Sequence, residues 1–325
     1  MSEPVWQGVA VVGRQAHPAL GEVGMRRAPA DFRVDEVLGF EPSGNGEHVF
    51  LQIRKTSANT AWVAGQLARV AGIRQRDVSY AGRKDRHAVT SQWFSCWLPR
   101  SDPDFAHLVD AEGVEILRVS RHANKLRRGE HAANRFRLRV SGSAIDRVAP
   151  EALSARLGAL QDGFPNYFTE QRFGFGADNL TRALRFFAQP NRRKARKHRD
   201  RDLFYSAARA FLFNRLLDAD VQTGQWREGA ATLVGDARLS PAEHRVLAPY
   251  ESLTSGLAAD RSQPGSRPRC VRPAHFTTEV ADNVLTLSFE LPPGAYATAL
   301  LREIGTVVDL SACDGRDALS GGEAP

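Results

Sequence analysis

The sequence contains only three cysteines in 325 residues, and their positions, Cys96, Cys270 and Cys313, share no CxxC spacing. A disulfide framework and a cysteine-based zinc site are therefore both disfavoured, and a reducing cytoplasm is the expected compartment. No apolar run approaches the ~18 residues that a membrane span needs, and the first ten residues lack the basic and apolar pattern of a secretion signal. The sequence therefore predicts neither membrane association nor secretion.

Several motifs of cofactor-dependent enzymes are also missing. The sequence has no GxxxxGK[ST] phosphate loop, no HExxH and no paired CxxC. The run GFGADN begins like a dinucleotide-binding loop but carries Asn179 where the third glycine belongs, and it follows no clear strand. We therefore expect neither a bound metal nor an organic cofactor.

The overall composition is that of a folded protein, with 42% hydrophobic and 25% charged residues and with Gly plus Pro making up only 44 of 325. This length is typical of about two domains. Regular elements of both kinds are predicted. The segment 48–55 alternates apolar and polar residues like a strand, and 59–72 has the apolar spacing of a helix with Asn59 or Thr60 as its cap and Gly72 as its stop. Further strands are predicted at 78–82, 92–98, 114–121, 135–142 and 284–291.

The fold class predicted from these elements is α/β (α+β), with a central, mostly antiparallel sheet. The strand at 135–142 places Phe136 on its apolar side and Arg135 on an all-arginine side, as on a sheet with one wet face. The middle of the chain differs in character, with an amphipathic helix over 202–221 and a turn-rich linker at 262–269. The tail returns to strand patterning and then to a helix over 295–310.

Positive charge is concentrated in two short segments of a chain whose net charge is +7. Residues 118–139 hold eight basic residues against one acid, and residues 182–201 hold nine against one. The remainder has 27 basic and 35 acidic residues, so it is acidic. Such clustering is typical of a surface for a polyanion such as RNA, because each phosphate contact releases condensed counterions. A solvated helix face is the alternative interpretation.

The loop GRKDRHAVT at 82–90 carries the strongest chemical signal. Asp85 stands among Arg83, Lys84 and Arg86, so its carboxylate is ionised and has cations beside it that could grip a phosphate. An ionised carboxylate can act as a nucleophile or a base without a cofactor. The alternative is a polar hairpin in which Asp85 only makes a turn. A lone His87 in such a loop favours a contact with RNA or solvent over a role as general base.

The segment YAGRKDRHAVTSQWFS resembles the signature of the TruD family, the D-type tRNA pseudouridine synthases. The family pattern GxKDRxAVTxQ is matched by Gly82 to Gln92. Further blocks match in the same order along the chain: residues 31–60, NRF at 134–136, PNYFTEQRFG at 165–174 and YATALLREI at 296–304. The resemblance implies a discontinuous catalytic domain, residues 1–162 and 271–325, with residues 163–270 inserted as an α/β TRUD domain.

The resemblance also assigns roles in catalysis. It implies that Asp85 is the nucleophile, that Phe136 stacks on the flipped base and that Asn134 positions the site. Arg302 is the candidate basic partner of Asp85. Composition alone would place Phe136 in the core, and a surface pair with Glu303 is the alternative for Arg302.

The remaining predicted site residues concern RNA. Lys84 and Arg86 would hold the RNA backbone or orient the Asp85 loop, and the two basic segments would line a cleft between the domains. Aromatic and arginine side chains at the start of the insertion suit unstacked bases and phosphates, with hinge packing as the alternative. The full set of predicted RNA contacts is Lys84, Arg86, His87, Arg135, Tyr167, Gln171, Arg172, Phe173, Arg192, Arg193 and Lys194.

The implied activity is isomerisation of uridine to pseudouridine in tRNA, expected at position 13 in the D-arm, by a monomeric cytoplasmic protein. Asp85 could attack the sugar carbon 1′ or the base carbon 6, or could remove a sugar proton to give a glycal. A non-catalytic RNA-binding protein is the alternative from another class. An RNA methyltransferase is the other alternative, although the lack of a glycine-rich cofactor loop disfavours it.

Overall fold

The structure, a computed structural model, describes residues 10–105, 113–191 and 197–312. Its strands are β1 (Glu22–Met25), β2 (Phe32–Val37), β3 (His48–Thr56), β4 (Val78–Tyr80), β5 (Val89–Trp97), β6 (Val114–His122), β7 (Ala133–Val140), β8 (Phe164–Pro165), β9 (Ala230–Leu233), β10 (Gly265–Pro268), β11 (Cys270–Val271), β12 (Ala274–Ala281), β13 (Val284–Leu291) and β14 (Thr306–Asp309). Its α-helices are α1 (Thr60–Ala71), α2 (Ser143–Asp146), α3 (Pro150–Gln161), α4 (Asp178–Phe187), α5 (Arg201–Gln222), α6 (Pro241–Leu247), α7 (Glu251–Ala259) and α8 (Ala297–Arg302). None of the helices in these ranges has the length and apolar character needed to cross a membrane.

The chain divides into two compact units. The sheet unit comprises Leu20–Ser154, Pro273–Gly294 and Gly305–Pro325, and the helical unit comprises Met1–Ala19, Ala155–Arg272 and Ala295–Ile304. The predicted insertion, 163–270, lies wholly within the helical unit. That unit also takes in the N-terminal 19 residues and residues 295–304, which the sequence analysis assigned to the other domain.

The sheet unit is built on eight strands in the order β12-β13-β7-β2-β5-β3-β6, with β4 paired beside β5. The neighbours are antiparallel except for β2 and β5, which run parallel. The predicted α/β class with a mostly antiparallel sheet is therefore confirmed. Strand β7 also shows the expected alternation. Its buried positions are Phe136, Leu138 and Val140, and its exposed positions are Arg135, Arg137 and Arg139.

Helix α1 packs on the face of the sheet formed by β3 and β5. The Asn59 side chain caps the helix by accepting from the Ala61 N–H at 2.8 Å, and Gly72 ends it in the left-handed conformation at φ 63°. Val63 and Leu67 are fully buried in the same cluster as Leu51 of β3. Both predicted signals for the ends of this helix are confirmed, and the helix holds its N-terminus beside the loop that follows β4.

The helical unit is organised around α5, which is apolar on all sides over its central turns. Phe211, Leu212 and Phe213 are consecutive and fully buried, as expected for a helix enclosed by its neighbours. Asn214 is also fully buried, and its amide is satisfied by backbone groups. Its Nδ2 donates to the Phe168 and Val11 carbonyls, and its Oδ1 accepts from the Phe168 N–H. The helix predicted over 202–221 is thus confirmed, with one more residue at each end.

Two predicted segments differ from the structure. The predicted helix over 295–310 ends at Arg302, and residues 306–309 form β14, parallel to β1. A Cβ at Gly305 would lie 2.2 Å from the Gly21 carbonyl oxygen, so only glycine permits this close approach, and the β-branched residues after it suit a strand. The predicted linker at 262–269 contains β10, which pairs with β9. The hydrogen bonds that make this segment a strand come from β9, and the local sequence does not reveal them.

Glu303, just after α8, is a buried acid of the helical unit. Its side chain is 2% exposed, and its Oε2 accepts from the Ala16 N–H at 3.0 Å and lies 3.5 Å from His17 Nδ1. Burial raises the pKa of Glu303 to about 7, against the opposing effects of the Ala16 hydrogen bond and the nearby Arg302 charge. The folded state therefore holds a proton on Glu303 over a pH range in which the unfolded chain has lost it.

This shift predicts that Glu303 weakens the helical unit as pH rises. Folding raises the pKa of this carboxyl from 4.5 to about 7, so the folded state binds more protons than the unfolded state between these pH values. The free energy of unfolding therefore decreases as pH rises through this range. We expect the free energy of unfolding of the wild type to fall relative to Glu303→Gln over this range, by up to about 3 kcal/mol. Urea unfolding of both proteins at several pH values measures the difference, and a constant difference would contradict the assignment.

Candidate active site

The loop between β4 and β5, residues 81–88, is held by three side chains that bond to its main chain. Gln92 Nε2 donates to the Gly82 carbonyl at 3.1 Å, and Thr60 Oγ1 accepts from the Lys84 N–H at 3.1 Å. Thr60 also donates to Gln92 Oε1 at 2.8 Å, which fixes the two side chains to each other. Lys55 Nζ donates to the Asp85 carbonyl at 2.9 Å. The path of the loop is therefore set by residues of β3, α1 and β5.

Lys84 points inward from this loop. Its side chain is 7% exposed and forms an ion pair with Glu36, which is fully buried, at 2.8 Å. Lys84 Nζ also donates to Asn134 Oδ1, and the Asn134 amide contacts His131 Nε2 at 3.1 Å. Of the two roles predicted for Lys84, this geometry favours orientation of the loop over contact with the RNA backbone.

Asp85 remains accessible, and a buried arginine binds it. Its side chain is 36% exposed, and its Oδ2 accepts from Arg26 Nη2 at 3.1 Å. Arg26 is 6% exposed, adopts φ 60°, and donates from Nη1 to Asp309 Oδ2 at 2.7 Å. Although burial opposes the effect, hydrogen bonds from Ser311 and Arg26 hold the pKa of the Asp309 carboxyl below its usual value. Arg26 is thus held between two carboxylates, both of which are partly exposed to solvent.

An aromatic row lies beneath Arg26. The Arg26 guanidinium sits 4.3 Å from the centroid of the Phe32 ring, and Phe32 meets the edge of Phe136 at 6.3 Å. Phe136 stacks on Phe289 with centroids 5.3 Å apart and is 7% exposed. Phe136 therefore belongs to the packed face of the sheet and lies two residues from Asn134 on that face, which connects the core to the Asp85 site.

Lys55 and Arg26 are the site residues that sequence reasoning missed. Lys55 is the penultimate residue of β3, where a lysine is ordinarily solvated, yet it is fully buried and also donates to the Ala58 carbonyl at 2.8 Å. Burial lowers the pKa of Lys55 to about 8, with the Asp85 charge opposing and the Lys84 charge assisting this shift. Arg26 lies 59 residues from Asp85, in a segment with no local signal. Lys55 and Arg26 are recognised only by their contacts with Asp85 in the folded structure.

The predicted basic partner of Asp85 was Arg302, but the ion pair seen in the structure is with Arg26. Arg302 ends α8 in the helical unit, and its Nη2 donates to the Gly13 carbonyl at 3.0 Å. A pairing of Arg302 with Asp85 stays a prediction.

The predicted RNA contacts within the sheet unit lie in different environments. Arg86 and His87 are exposed in the Asp85 loop. Arg135 is on the opposite face of β7 from Asn134 and Phe136, where it forms a salt bridge with Glu290 at 2.7 Å. The Arg135 side chain therefore points away from Asn134 and Phe136, and its contact with RNA stays a prediction.

The predicted contacts in the helical unit require a correction. Tyr167 and Phe173 are 1% and 0% exposed in the core of this unit, so neither ring can stack on a base as placed. Arg172 is half-buried and donates to Tyr296 and Ser206, whereas Gln171 is exposed. Arg192, Arg193 and Lys194 lie outside the described residues.

In the part of the chain that the structure describes, no group of three or more His, Cys, Asp or Glu side chains is arranged to hold a metal ion. Arg26 binds the Asp85 carboxylate, Lys84 binds Glu36, and Lys55 binds the loop backbone. This arrangement can hold one carboxylate in a fixed orientation at a surface opening.

Comparison with known proteins identifies the family. Residues 18–181 match the family model described as tRNA pseudouridine synthase D (TruD). The chain is 41% identical to the tRNA pseudouridine synthase D of Methylococcus capsulatus, with 86% of this chain and 90% of that protein covered. It is 37% identical to the protein of the same name from Aeromonas hydrophila, with the same coverage.

This chain belongs to the TruD family. The fold agrees with a solved structure as well. A crystal structure of a Methanosarcina mazei protein assigned to tRNA pseudouridine synthase D matches at a TM-score of 0.64 and 18% identity, covering 94% of this chain and 98% of that one. The family resemblance inferred from the GRKDR loop and its companion blocks is therefore confirmed. The family match includes Arg26, Lys55 and Asp85, the residues that the fold brings together.

The buried Lys84–Glu36 pair gives a stability prediction. Lys84→Met leaves the Glu36 carboxylate buried without its cation, which costs about 3–5 kcal/mol in comparable buried pairs. The double variant Lys84→Met/Glu36→Gln removes both charges, keeps an acceptor for the Trp93 N–H, and is expected to recover most of that loss.

Urea unfolding followed by tryptophan fluorescence measures these differences. The exposed Arg54–Glu115 pair provides the matched control, since its side chains are 47% and 56% exposed. Arg54→Met is expected to change the free energy of unfolding by less than about 1 kcal/mol. Equal decreases in the free energy of unfolding for Lys84→Met and Arg54→Met would show that the buried pair contributes no more to stability than the exposed pair.

Proposed function

We propose that this chain isomerises uridine to pseudouridine in tRNA, at position 13 of the D-arm, with Asp85 as the nucleophile. The observation that carries the proposal is the Asp85 carboxylate, 36% exposed and clamped by a buried arginine within a loop that buried side chains hold in place. The names of the relatives support the choice of tRNA as substrate. We further propose that the chain acts as a monomer.

The chemistry fits a site made of one oriented carboxylate. The C1′–N1 bond of the uridine breaks, a C1′–C5 bond forms, C5 loses a proton and N1 gains one, so no electrons and no group are exchanged with a donor. The Asp85 carboxylate can serve as the nucleophile in this exchange. Attack at carbon 1′, attack at carbon 6 and removal of a sugar proton all use the same carboxylate.

The surroundings of Asp85 suit a base extruded from its stack. Enzymes that act on a base in a structured nucleic acid flip it out at a cost of a few kcal/mol and repay part of that cost by contacts in the site. Asn134 and Phe136 lie on the packed side of the site, and Arg86 and His87 flank Asp85 on the exposed side. We infer that the first pair contacts the base and that the second pair contacts the RNA backbone.

Cys96 and Cys270 are free thiols, which suits the reducing cytoplasm as the proposed compartment.

The nucleophile is tested with Asp85→Asn, which keeps the shape of the side chain and removes its charge. With unmodified tRNA transcripts and no added cofactor, we expect the wild type to convert one D-arm uridine and Asp85→Asn to convert none while binding tRNA with similar affinity. Pseudouridine mapping at single-nucleotide resolution and a binding titration measure the two outcomes. If both proteins bind tRNA but neither converts a uridine, the chain is a non-catalytic RNA-binding protein.

The role of Arg26 is tested separately with Arg26→Gln. Loss of the clamp lets the carboxylate leave its reactive orientation, and misplacement of a reacting group by about 1 Å can cost on the order of 100-fold in rate. We expect a loss of that size in the single-turnover rate with little change in tRNA affinity. Arg27→Gln is the matched control, because the neighbouring Arg27 contacts Ser141 and is exposed. A loss of rate in Arg302→Gln but not in Arg26→Gln would instead support Arg302 as the partner of Asp85.

A further inference from the structure

Lys55 is a fully buried cation at a junction of three segments. It is the penultimate residue of β3, a strand paired on both sides, with β5 and with β6. Its Nζ donates to the Ala58 carbonyl just before α1 and to the Asp85 carbonyl in the active-site loop. A lysine is almost never fully buried without partners, because an uncompensated charge in the interior is costly. The two main-chain carbonyls therefore account for the burial of this ammonium group.

The contact with Asp85 differs from the other supports of the loop. Thr60 and Gln92 bind the main chain before the nucleophile, at Lys84 and Gly82, and both are neutral. Lys55 binds the carbonyl of the nucleophile itself and does so with a charged donor, and such hydrogen bonds are about twice as strong as neutral ones. The Lys55 backbone is held in the sheet, so its ammonium group is a fixed point against which the Asp85 backbone is placed.

We propose that Lys55 is a positioning residue for the isomerisation, which fixes the Asp85 main chain so that the carboxylate meets the reacting base in one orientation. The kinetic part of this inference rests on the proposed function. Arg26 binds the Asp85 side chain and Lys55 binds the Asp85 main chain, so the two contacts together fix the position and the orientation of the carboxylate. Lys55 itself is too deeply buried to touch RNA, and it acts through Asp85.

The test compares Lys55→Met with a control on the same strand. Methionine keeps the apolar stem and removes the donor, so the Asp85 carbonyl loses its anchor. Leu51→Ala is the control, because Leu51 is a fully buried residue of β3 in the cluster that packs α1 on the sheet. It destabilises the sheet by the ~2–5 kcal/mol typical of such cavities without removing a hydrogen bond to the loop.

The first readout does not depend on catalysis. Hydrogen–deuterium exchange of the amides in residues 82–88 is expected to rise roughly tenfold in Lys55→Met, because the loop opens locally, and to stay near the wild-type rate in Leu51→Ala. Unchanged exchange in Lys55→Met, or an equal rise in both variants, would overturn the proposal. This readout holds even if the wild type fails to convert uridine in tRNA, an outcome that would sink the proposed function alone.

The second readout separates positioning from folding. Single-turnover conversion of tRNA by Lys55→Met is expected to slow by about 10-fold to 100-fold, with a tRNA dissociation constant within about twofold of the wild type. Leu51→Ala should retain the wild-type rate at temperatures where it is folded. If Lys55→Met does not fold, Lys55→Gln replaces it, since its shorter side chain falls short of the Asp85 carbonyl, and the same loss of rate is expected. A wild-type rate in either Lys55 variant, or weaker tRNA binding as the main defect, would overturn the proposal.

Discussion

Three charged side chains beneath the Asp85 loop, Lys55, Lys84 and Glu36, are withdrawn from water, and their need for partners governs the geometry of the site. A buried charge is tolerated only where opposite charge or hydrogen bonds compensate its lost hydration. Lys84 meets this need with Glu36 and Asn134, and Lys55 meets it with two main-chain carbonyls. Along the path that the loop takes, both lysines have partners, and the Asp85 carboxylate is partly exposed.

The arrangement assigns opposite tasks to neighbouring residues. Lys84 turns into the protein and Asp85 turns to the surface, so of two consecutive residues one anchors the loop and the other meets solvent. The same principle recurs in β7, where the pleat directs Asn134 and Phe136 to the packed face and Arg135 to the opposite face. Charge density along the sequence therefore overstates the basic surface near Asp85, because part of it lies across the sheet or inside buried pairs.

Arg26 illustrates how distant segments complete the site. It directly follows β1, which pairs in parallel with β14, and this pairing sets Met25 opposite Asp309. Asp309 and Asp85 then bind the two ends of one guanidinium, which rests on the Phe32 ring. The C-terminal part of the sheet unit thus holds the arginine that orients a carboxylate encoded more than two hundred residues earlier.

The family, the fold class, six of the eight strands of the central sheet and the candidate loop around Asp85 were readable in the amino-acid sequence. Each depends on local patterns: alternation in β3 and β13, the caps Asn59 and Gly72 of α1, and the GRKDR run. The partners of Asp85 were not readable. Sequence reasoning assigned Arg302 by position on a C-terminal helix and singled out neither Lys55 nor Arg26. It also predicted that Tyr167 and Phe173 contact RNA, whereas both are buried in the core of the helical unit. Burial and ion pairing depend on which strands meet and in what register, and those long-range pairings exist only in the folded chain.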